Sequence, residues 1–292
     1  MIFLIQGRGI SNLLKEKIAS EIKGFSPSQA RIARFILDHP REAPFMTASQ
    51  MAERIDVSES SVIRFASHLG YSGYPDLKEA MKELLLDQMT TIERMALYDD
   101  DHHKESTCQR TMALDMLDLG EAQKGLDPAK VEHFAKALVQ APSVYFAAQR
   151  SSSVLAQYLG FYLSWFLPSV NHLTADLFRE NLITAPSESL VVGISFPRYS
   201  RWTVDVVSMA KERGHRIGVI SDSSDSPMAQ SSPEHTLVVP CRHISFIDSF
   251  TAPMSLMNCI IMAVAEELGD KAKGRLVELE ELWTEGSVYS SK

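Results

Sequence analysis

Two short segments in the C-terminal half of the chain combine hydroxyl groups with arginines. The first is Gln149–Ser153, which follows the β-rich run 143–148, and the second is Ser195–Thr203, at the end of the β-rich run 189–195. Hydroxyls, backbone N–H groups and guanidinium groups hold phosphates and other anions in proteins. Helix capping is the alternative explanation, but it accounts for one hydroxyl per turn and not for this density. The pattern predicts an anion site.

A second set of polar side chains occupies the N-terminal and outward positions of a short predicted helix. The set is Ser58, Glu59, Ser60, Ser61, Arg64 and His68. Such groups hydrogen-bond to base edges or phosphates when a helix lies in the major groove. A guanidinium grips guanine or phosphate at two points, so Arg64 is either a DNA contact or a solvated helix residue. Glu59 either caps the helix or accepts a hydrogen bond from cytosine.

The elements that must position the second set are helices. Apolar residues recur at helical spacing between residues 26 and 89 and are interrupted by turn signals. The four predicted helices run from Ser26 to His39, from Thr47 to Ile55, from Ser58 to Gly70 and from Asp76 to about Met89. The two short middle helices, separated by a tight turn, form a helix-turn-helix. We therefore predict an all-α N-terminal domain that contacts double-stranded DNA.

The elements that must position the two turns are strands. From about Cys108 the chain is helical, and after Pro142 four β-rich runs occur at 143–148, 189–195, 216–221 and 235–240. They alternate with helical or turn segments, and two helices are predicted to close the chain, over 245–268 and over 271 to about 286. This pattern predicts an α/β domain with a doubly wound parallel sheet. Ligands bind such sheets at the carboxyl ends of the strands, where both turns lie.

The bulk properties limit the function classes. The 292 residues suffice for two domains, which we place at 1–90 (helix-turn-helix), 91–107 (an acidic, polar linker) and 108–292. Residues 1–90 hold 11 Lys and Arg against 11 Asp and Glu, which leaves 18 against 26 for the remainder. Nucleic-acid contact is therefore permitted only at the front. The uncharged stretch 151–175 is interpreted as a buried helix of the α/β core rather than as a membrane span.

The cysteines and the N-terminus indicate a cytoplasmic protein. Three widely spaced cysteines, Cys108, Cys241 and Cys259, match neither a disulfide framework nor a metal site. Residues 1–6 lack the basic leader and cleavage site of a signal peptide. We expect no metal and no cofactor.

The residue pattern of the N-terminal domain is specific. The run 26–85 begins Ser-Pro-Ser-Gln-Ala-Arg-Ile-Ala, continues with Thr-Ala-Ser-Gln-Met-Ala-Glu-Arg-Ile and closes with Val-Ile-Arg-Phe-Ala-Ser-His-Leu-Gly-Tyr-Ser-Gly-Tyr. It resembles the RpiR family of transcription regulators, and the resemblance extends over nearly the whole chain. This implies a regulator that binds operator DNA, and we hypothesise a homodimer or homotetramer, joined through the C-terminal domain, on a roughly palindromic operator. It also implies a C-terminal SIS (sugar isomerase) domain whose turns bind the phosphate of a phosphosugar.

Carried over by position, the resemblance identifies ligand-binding residues in both turns. With the arginines of the same turns, the set is Arg150, Ser151, Ser152, Ser195, Arg198, Ser200 and Thr203. In the family pattern Ser-x-Ser-Gly-x-Thr, Pro197 and Arg198 take the places of the second Ser and the Gly, and Ser200 takes that of the Thr. Ala147, Ala148 and Gln149 stand where the family commonly has a glycine-rich turn. The added arginines either compensate for these departures or indicate a different anionic ligand.

A SIS-type isomerase is the competing hypothesis. It needs a carboxylate base, Glu180 or Glu188, together with a histidine, His172, His235 or His243. No recognisable pair of these occurs in the sequence, and a helix-turn-helix has no use in an isomerase. We therefore expect a regulator and not an enzyme. A DNA-binding protein that needs no ligand is the third alternative.

Overall fold

The computed structural model of the protein describes residues 10–100, 106–231 and 233–289. Within these ranges the chain forms two compact units. The helical unit comprises the described residues of Arg8–Met116 and Arg242–Ser249, and the sheet unit those of Leu117–Cys241 and Phe250–Lys292. The residues 1–6 that bear on export, and Asp101, His102 and His103 of the expected linker, lie outside the described residues.

Seven helices span the described residues from 10 to 125. They are α1 (Ile10–Glu21), α2 (Pro27–Asp38), α3 (Ala48–Arg54), α4 (Glu59–His68), α5 (Tyr74–Gln88), α6 (Thr91–Asp100) and α7 (Thr107–Gly125). The four predicted helices correspond to α2–α5, and α5 begins two residues earlier than expected. The sequence reasoning did not find α1 or α6. The second of these occupies much of the range assigned to a linker.

Local capping explains the starts of α2, α3 and α4. The hydroxyls of Ser26, Thr47 and Ser58 each accept a hydrogen bond from a backbone N–H in the first turn of the helix that follows. Gly70, with φ of +80°, adopts the left-handed conformation just after α4. The buried side chains of Ile32, Met51 and Phe65, among others, form one apolar cluster that fixes α4 to its neighbours.

The sheet unit contains five parallel strands and six helices. They are α8 (Pro128–Gln140), β1 (Val144–Ala147), α9 (Ser152–Leu163), β2 (Val170–His172), α10 (Phe178–Thr184), β3 (Leu190–Ile194), α11 (Arg201–Glu212), β4 (Arg216–Ser221), β5 (His235–Val238), α12 (Thr251–Leu268) and α13 (Asp270–Glu285). The strand order is β2-β1-β3-β4-β5, and every neighbouring pair is parallel.

Helices cover both faces of this sheet. Alternate residues of β3 show this, because Leu190 and Val192 belong to a core cluster with residues of α8, α9 and α12. Val191 belongs to a second cluster with residues of α10 and α11. Successive side chains of a strand point to opposite faces, so the two clusters lie on opposite sides of the sheet. The predicted doubly wound α/β architecture is confirmed.

Two details differ from expectation. The short strand β2 was not predicted, and the helix expected to start at Ser245 begins at Thr251 instead. The residues before α12 form a tight turn in which Ile244 N–H donates to the Ile247 carbonyl, and His243 and Asp248 form an antiparallel bridge. These bonds occupy backbone groups that a helix would have used. Among the described residues, no helix is long and apolar enough to cross a membrane.

Candidate functional site

The two hydroxyl-rich turns meet at one edge of the sheet. The first turn, residues 149–153, follows β1, and the second turn, residues 195–203, follows β3, its parallel neighbour. The Ser200 hydroxyl lies 3.4 Å from Oε1 of Gln149, in hydrogen-bonding geometry. The structure therefore brings together the two turns that the sequence singled out, at the strand ends where ligands of parallel sheets bind.

Hydrogen bonds within the second turn order its backbone. Ser200 N–H donates to the hydroxyl of Ser195 over 3.0 Å, and the hydroxyl of Ser200 caps α11 by accepting from Thr203 N–H over 3.3 Å. The side chain of Thr203 is fully buried, and its hydroxyl has no hydrogen-bond partner among the described residues. The hydroxyls of Ser195 and Ser200 and the backbone N–H of Thr203 thus belong to one hydrogen-bonded turn.

The end of β4 also contributes to this edge. The Ser221 hydroxyl lies 2.8 Å from the Ser195 carbonyl oxygen and 3.1 Å from Oδ1 of Asp222. The Tyr199 hydroxyl donates to the same oxygen of Asp222 over 2.8 Å, and Asp222 is only 5% exposed. Ser221 and Asp222 are not among the site residues chosen from the sequence. The hydroxyl and carboxylate run at a strand end was the signal, but only the strand order shows that it adjoins the second turn.

The first turn has a different local structure. Arg150 adopts a left-handed backbone conformation, with φ of +55°, and its carbonyl accepts a hydrogen bond from the Ser153 hydroxyl over 2.6 Å. Ser151 is exposed and makes no capping hydrogen bond to α9, whereas Ser152 is buried. Capping therefore does not account for the Ser151 hydroxyl. Arg150 and Arg198 are both exposed, so one exposed guanidinium belongs to each turn.

The DNA-contact residues chosen from the sequence lie in and just before α4. Glu59, Ser60 and Arg64 are exposed. The Ser58 hydroxyl lies 2.9 Å from that of Ser60 and 2.8 Å from that of Ser61, and Arg64 Nη2 donates to the Ser61 hydroxyl over 3.4 Å.

His68 lies at the other end of this helix. Its Nε2 is 2.9 Å from Oε2 of Glu21 in α1, and its ring packs edge-on against Phe25. His68 is therefore bonded to another helix, whereas the hydrogen bond of Arg64 to Ser61 stays within α4.

The residues that an isomerase would need differ in their surroundings. His243 is bonded to Asp248 and Arg94 in the helical unit, whereas Glu180 and Glu188 are exposed residues of the sheet unit. Burial lowers the pKa of His172 and is the main cause of the lowered pKa of His235. A lowered pKa favours the neutral form of each imidazole at neutral pH.

Comparisons with known protein families match a different domain family in each unit. Residues 12–88 match the helix-turn-helix domain of the rpiR family, and residues 137–263 match the SIS domain. The HTH-type transcriptional regulator HexR of Pseudomonas aeruginosa is 27% identical over 228 residues, which cover 76% of this chain and 77% of HexR. HexR of Escherichia coli is 25% identical over 218 residues, which cover 74% of each chain.

Solved structures show the same architecture. The sugar isomerase domain of an RpiR transcription factor from Sphaerobacter thermophilus superposes with a TM-score of 0.55 at 25% identity, covering 58% of this chain and 96% of that one. The NanR protein of Vibrio vulnificus, complexed with ManNAc-6P, gives a TM-score of 0.56 at 17% identity over 96% of this chain and 100% of NanR. At that identity the second likeness is one of fold.

Proposed function

We propose that this chain, which belongs to the RpiR family and joins a helix-turn-helix domain to a SIS domain, is a transcription regulator whose affinity for operator DNA is controlled by a small phosphorylated metabolite. The HexR relatives are named as transcriptional regulators, which supports the same role here. The protein acts by binding rather than by catalysis, and it works in the cytoplasm, where its DNA lies.

The meeting of the two turns at Ser200 is the observation that carries the ligand-binding part of the proposal. Ser200 touches Gln149 of the first turn and caps α11 in the second. Backbone N–H groups and helix N-termini at this edge attract negative charge, and hydroxyls add neutral donors. A phosphate bound there contacts both turns at once. We assign the binding of this phosphate to Arg150, Ser151, Ser152, Ser195, Arg198, Ser200 and Thr203.

From the positive charges of the two turns we infer that the ligand is a sugar-phosphate-like compound. Exposed Arg150 and Arg198 supply one guanidinium to each turn, and a guanidinium binds a phosphate at two points. NanR, which has the same fold, was solved with a sugar phosphate, ManNAc-6P. That complex supports the class of ligand and leaves its identity to the experiment below.

We assign DNA reading to α4 and the residue that caps it. Ser58, Glu59, Ser60, Ser61, Arg64 and His68 form the contact set, with Arg64 as its principal member. A recognition helix enters the major groove with its N-terminal residues against the base edges. The exposure of Glu59, Ser60 and Arg64 supports this assignment.

The protein acts as a homodimer or homotetramer joined through its C-terminal domain. Helix α13 exposes apolar side chains, with Val277 59% and Leu282 61% accessible to solvent. A second copy of the chain would cover such a surface. Two-fold symmetry then pairs the recognition helices on a roughly palindromic operator.

The experiment that tests ligand binding is a thermal-shift screen of the full chain. The panel contains phosphosugars, other phosphorylated metabolites and non-phosphorylated acids. A compound that binds only the folded protein, present at about 100 times its Kd, raises Tm by on the order of 5 °C. We expect Ser200→Ala to abolish the shift. Ser164→Ala is the matched control, because the hydroxyl of this exposed serine donates to the local Phe161 carbonyl at the end of α9.

Three outcomes are informative. A shift from a phosphorylated compound that Ser200→Ala removes and Ser164→Ala retains supports the proposal. If only non-phosphorylated acids raise Tm, the turns bind a different anion and the proposal of a phosphate site is contradicted. A shift that Ser200→Ala leaves unchanged removes Ser200 from the site.

A further inference from the structure

Three side chains of the helical unit form a buried ionic cluster. Arg94 of α6 donates from Nη1 to Oδ1 of Asp248 over 3.1 Å, and the same carboxylate oxygen lies 2.6 Å from Nδ1 of His243. Arg94 Nη1 also contacts His243 Nδ1. The side chains of Arg94 and His243 are each 5% exposed, and that of Asp248 is 18% exposed. We call these three residues the Arg94 cluster.

The charges of the Arg94 cluster depend on one another. Burial alone would raise the pKa of Asp248, but the hydrogen bond and charge of His243 and the charge of Arg94 outweigh it and hold this pKa below its usual value. A pair this buried is costly to break, because removal of one partner leaves an uncompensated charge away from water. The cluster therefore fixes α6 to the chain segment that carries His243 and Asp248.

That segment, residues 242–249, is ordered by its own hydrogen bonds as well. Ser249 N–H donates to the Arg242 carbonyl over 2.8 Å, and Ile244 N–H donates to the Ile247 carbonyl over 2.9 Å. The hydroxyl of Ser249 donates to Asp115 of α7. The segment is thus attached at two points to helices that follow the DNA-binding domain.

The same segment continues directly into the sheet unit. Ser249 is followed by Phe250, whose ring centroid lies 5.7 Å from that of Phe196. Phe196 is 3% exposed and is part of the second turn, between Ser195 and Pro197. Phe250 thus packs against a residue of the second turn and is joined by a peptide bond to residues 242–249.

We propose that Arg94 and Asp248 are positioning residues that join α6 to residues 242–249, and that this segment transmits the state of the second turn to α6. This inference rests on the proposed function, because it gives the ligand a route to the DNA-binding domain. Coupling needs a contiguous set of packed or bonded groups and a ligand that binds two states differently. Phe196, Phe250, Asp248 and Arg94 supply the contiguous set.

Hydrogen–deuterium exchange of the full chain tests this connection. Inorganic phosphate at high concentration is the probe, with chloride at equal ionic strength as the reference. In the wild type we expect phosphate to slow exchange at least about threefold both in the second turn and in residues 91–100. In Arg94→Gln we expect slowing in the second turn only. The control Arg31→Gln, which breaks an exposed pair with Asp56, behaves as the wild type.

A second experiment compares hydrogen exchange of two variants with that of the wild type in the absence of phosphate. We expect Phe250→Leu to speed exchange in residues 91–100, because it removes the ring contact with Phe196. Phe246→Leu, at a 51% exposed position of the same segment, leaves that exchange unchanged. Asp248→Asn repeats the test from the other side of the ion pair if Arg94→Gln fails to fold.

The outcomes separate the inference from the proposed function. Phosphate protection of α6 that persists in Arg94→Gln, or protection of the second turn without any effect on α6 in the wild type, overturns the inference and leaves the ligand site standing. Absence of protection in the second turn counts against the proposed phosphate site. In that event unchanged exchange of α6 in Phe250→Leu overturns the connection, and faster exchange supports it.

Discussion

Ser200 has two separate roles in the structure, one in helix capping and one in the contact between the two turns. It caps α11 and touches the first turn, so Ser200→Ala removes a helix cap as well as the proposed ligand contact. Loss of a cap costs about 1 kcal/mol of stability by itself. The effect on binding is therefore the difference between Tm with and without ligand for the same variant. Comparing ligand-free proteins alone would confuse capping with binding.

Arg64 is the residue that tests the DNA contact. Arg64→Ala should weaken binding to operator DNA by about 1–3 kcal/mol if the guanidinium reads a base, and the loss should be largest for the preferred sequence. If it binds a phosphate, affinity should fall about equally for all sequences and the salt dependence should become shallower. Fluorescence anisotropy at several salt concentrations distinguishes the two.

Arg213→Ala is the control for that measurement, since Arg213 is an exposed residue at the end of α11 in the sheet unit. Operator affinity that is the same in Arg64→Ala and the wild type would exclude Arg64 from the contact set.

The lowered pKa of Asp248 predicts that the stabilising effect of this residue depends on pH. Its folded-state pKa is held below the ordinary value, so its ionised form adds stability that is present above the unfolded-state pKa of about 4 and is lost as pH falls through the folded-state value. Asp248→Asn should therefore be less stable than the wild type at pH 7, and the gap should narrow below about pH 4. Urea unfolding across this range measures it. Asp270→Asn, at an exposed ion pair, is the control, and a gap independent of pH would contradict the account.

At the scale of elements, a helix or strand could be predicted where the interactions that determine it join residues close in sequence. The starts of α2, α3 and α4 were predictable because Ser26, Thr47 and Ser58 cap them within one turn. The start of α12 was not, because the preceding turn is held by an ion pair between Asp248 and Arg94, far apart in sequence. The three-residue strand β2 pairs only with β1 and has no buried residue, so its sequence carries little strand signal.

Gly193 tests how closely β3 packs against α11. A Cβ atom at Gly193 would lie 2.6 Å from Cγ2 of Val207 and 3.0 Å from the sulfur of Met228, and both side chains are fully buried. Gly193→Ala should therefore lower the free energy of unfolding by about 1–3 kcal/mol. Chemical denaturation measures it.

Gly274→Ala is the matched substitution, because nothing lies within 4 Å of the added methyl on exposed α13. There alanine should be neutral or stabilise by up to about 1 kcal/mol. Equal stability of Gly193→Ala and the wild type would contradict the packing of β3 against α11.

At the scale of the whole molecule, the sequence identified the two candidate turns but not how they connect. Both turns were found from hydroxyls and arginines that follow β-rich runs, whereas the contact of Gln149 with Ser200 and the position of Asp222 depend on the strand order. That order is set by packing across the whole sheet, which no local pattern contains. The charge distribution was readable directly: residues 1–90 are balanced and the remainder is acidic, which limits DNA contact to the front.

Binding of the full chain to DNA, measured with and without ligand, tests the central claim most directly. The DNA is a duplex selected by the protein from a random library, and the ligand is the phosphorylated compound found by thermal shift, titrated to saturation. The account predicts that the ligand changes DNA affinity by about 5- to 150-fold, the usual range of coupling between two sites. Unchanged DNA affinity at saturating ligand would contradict control by the metabolite, and failure to select any DNA sequence would contradict the regulator itself.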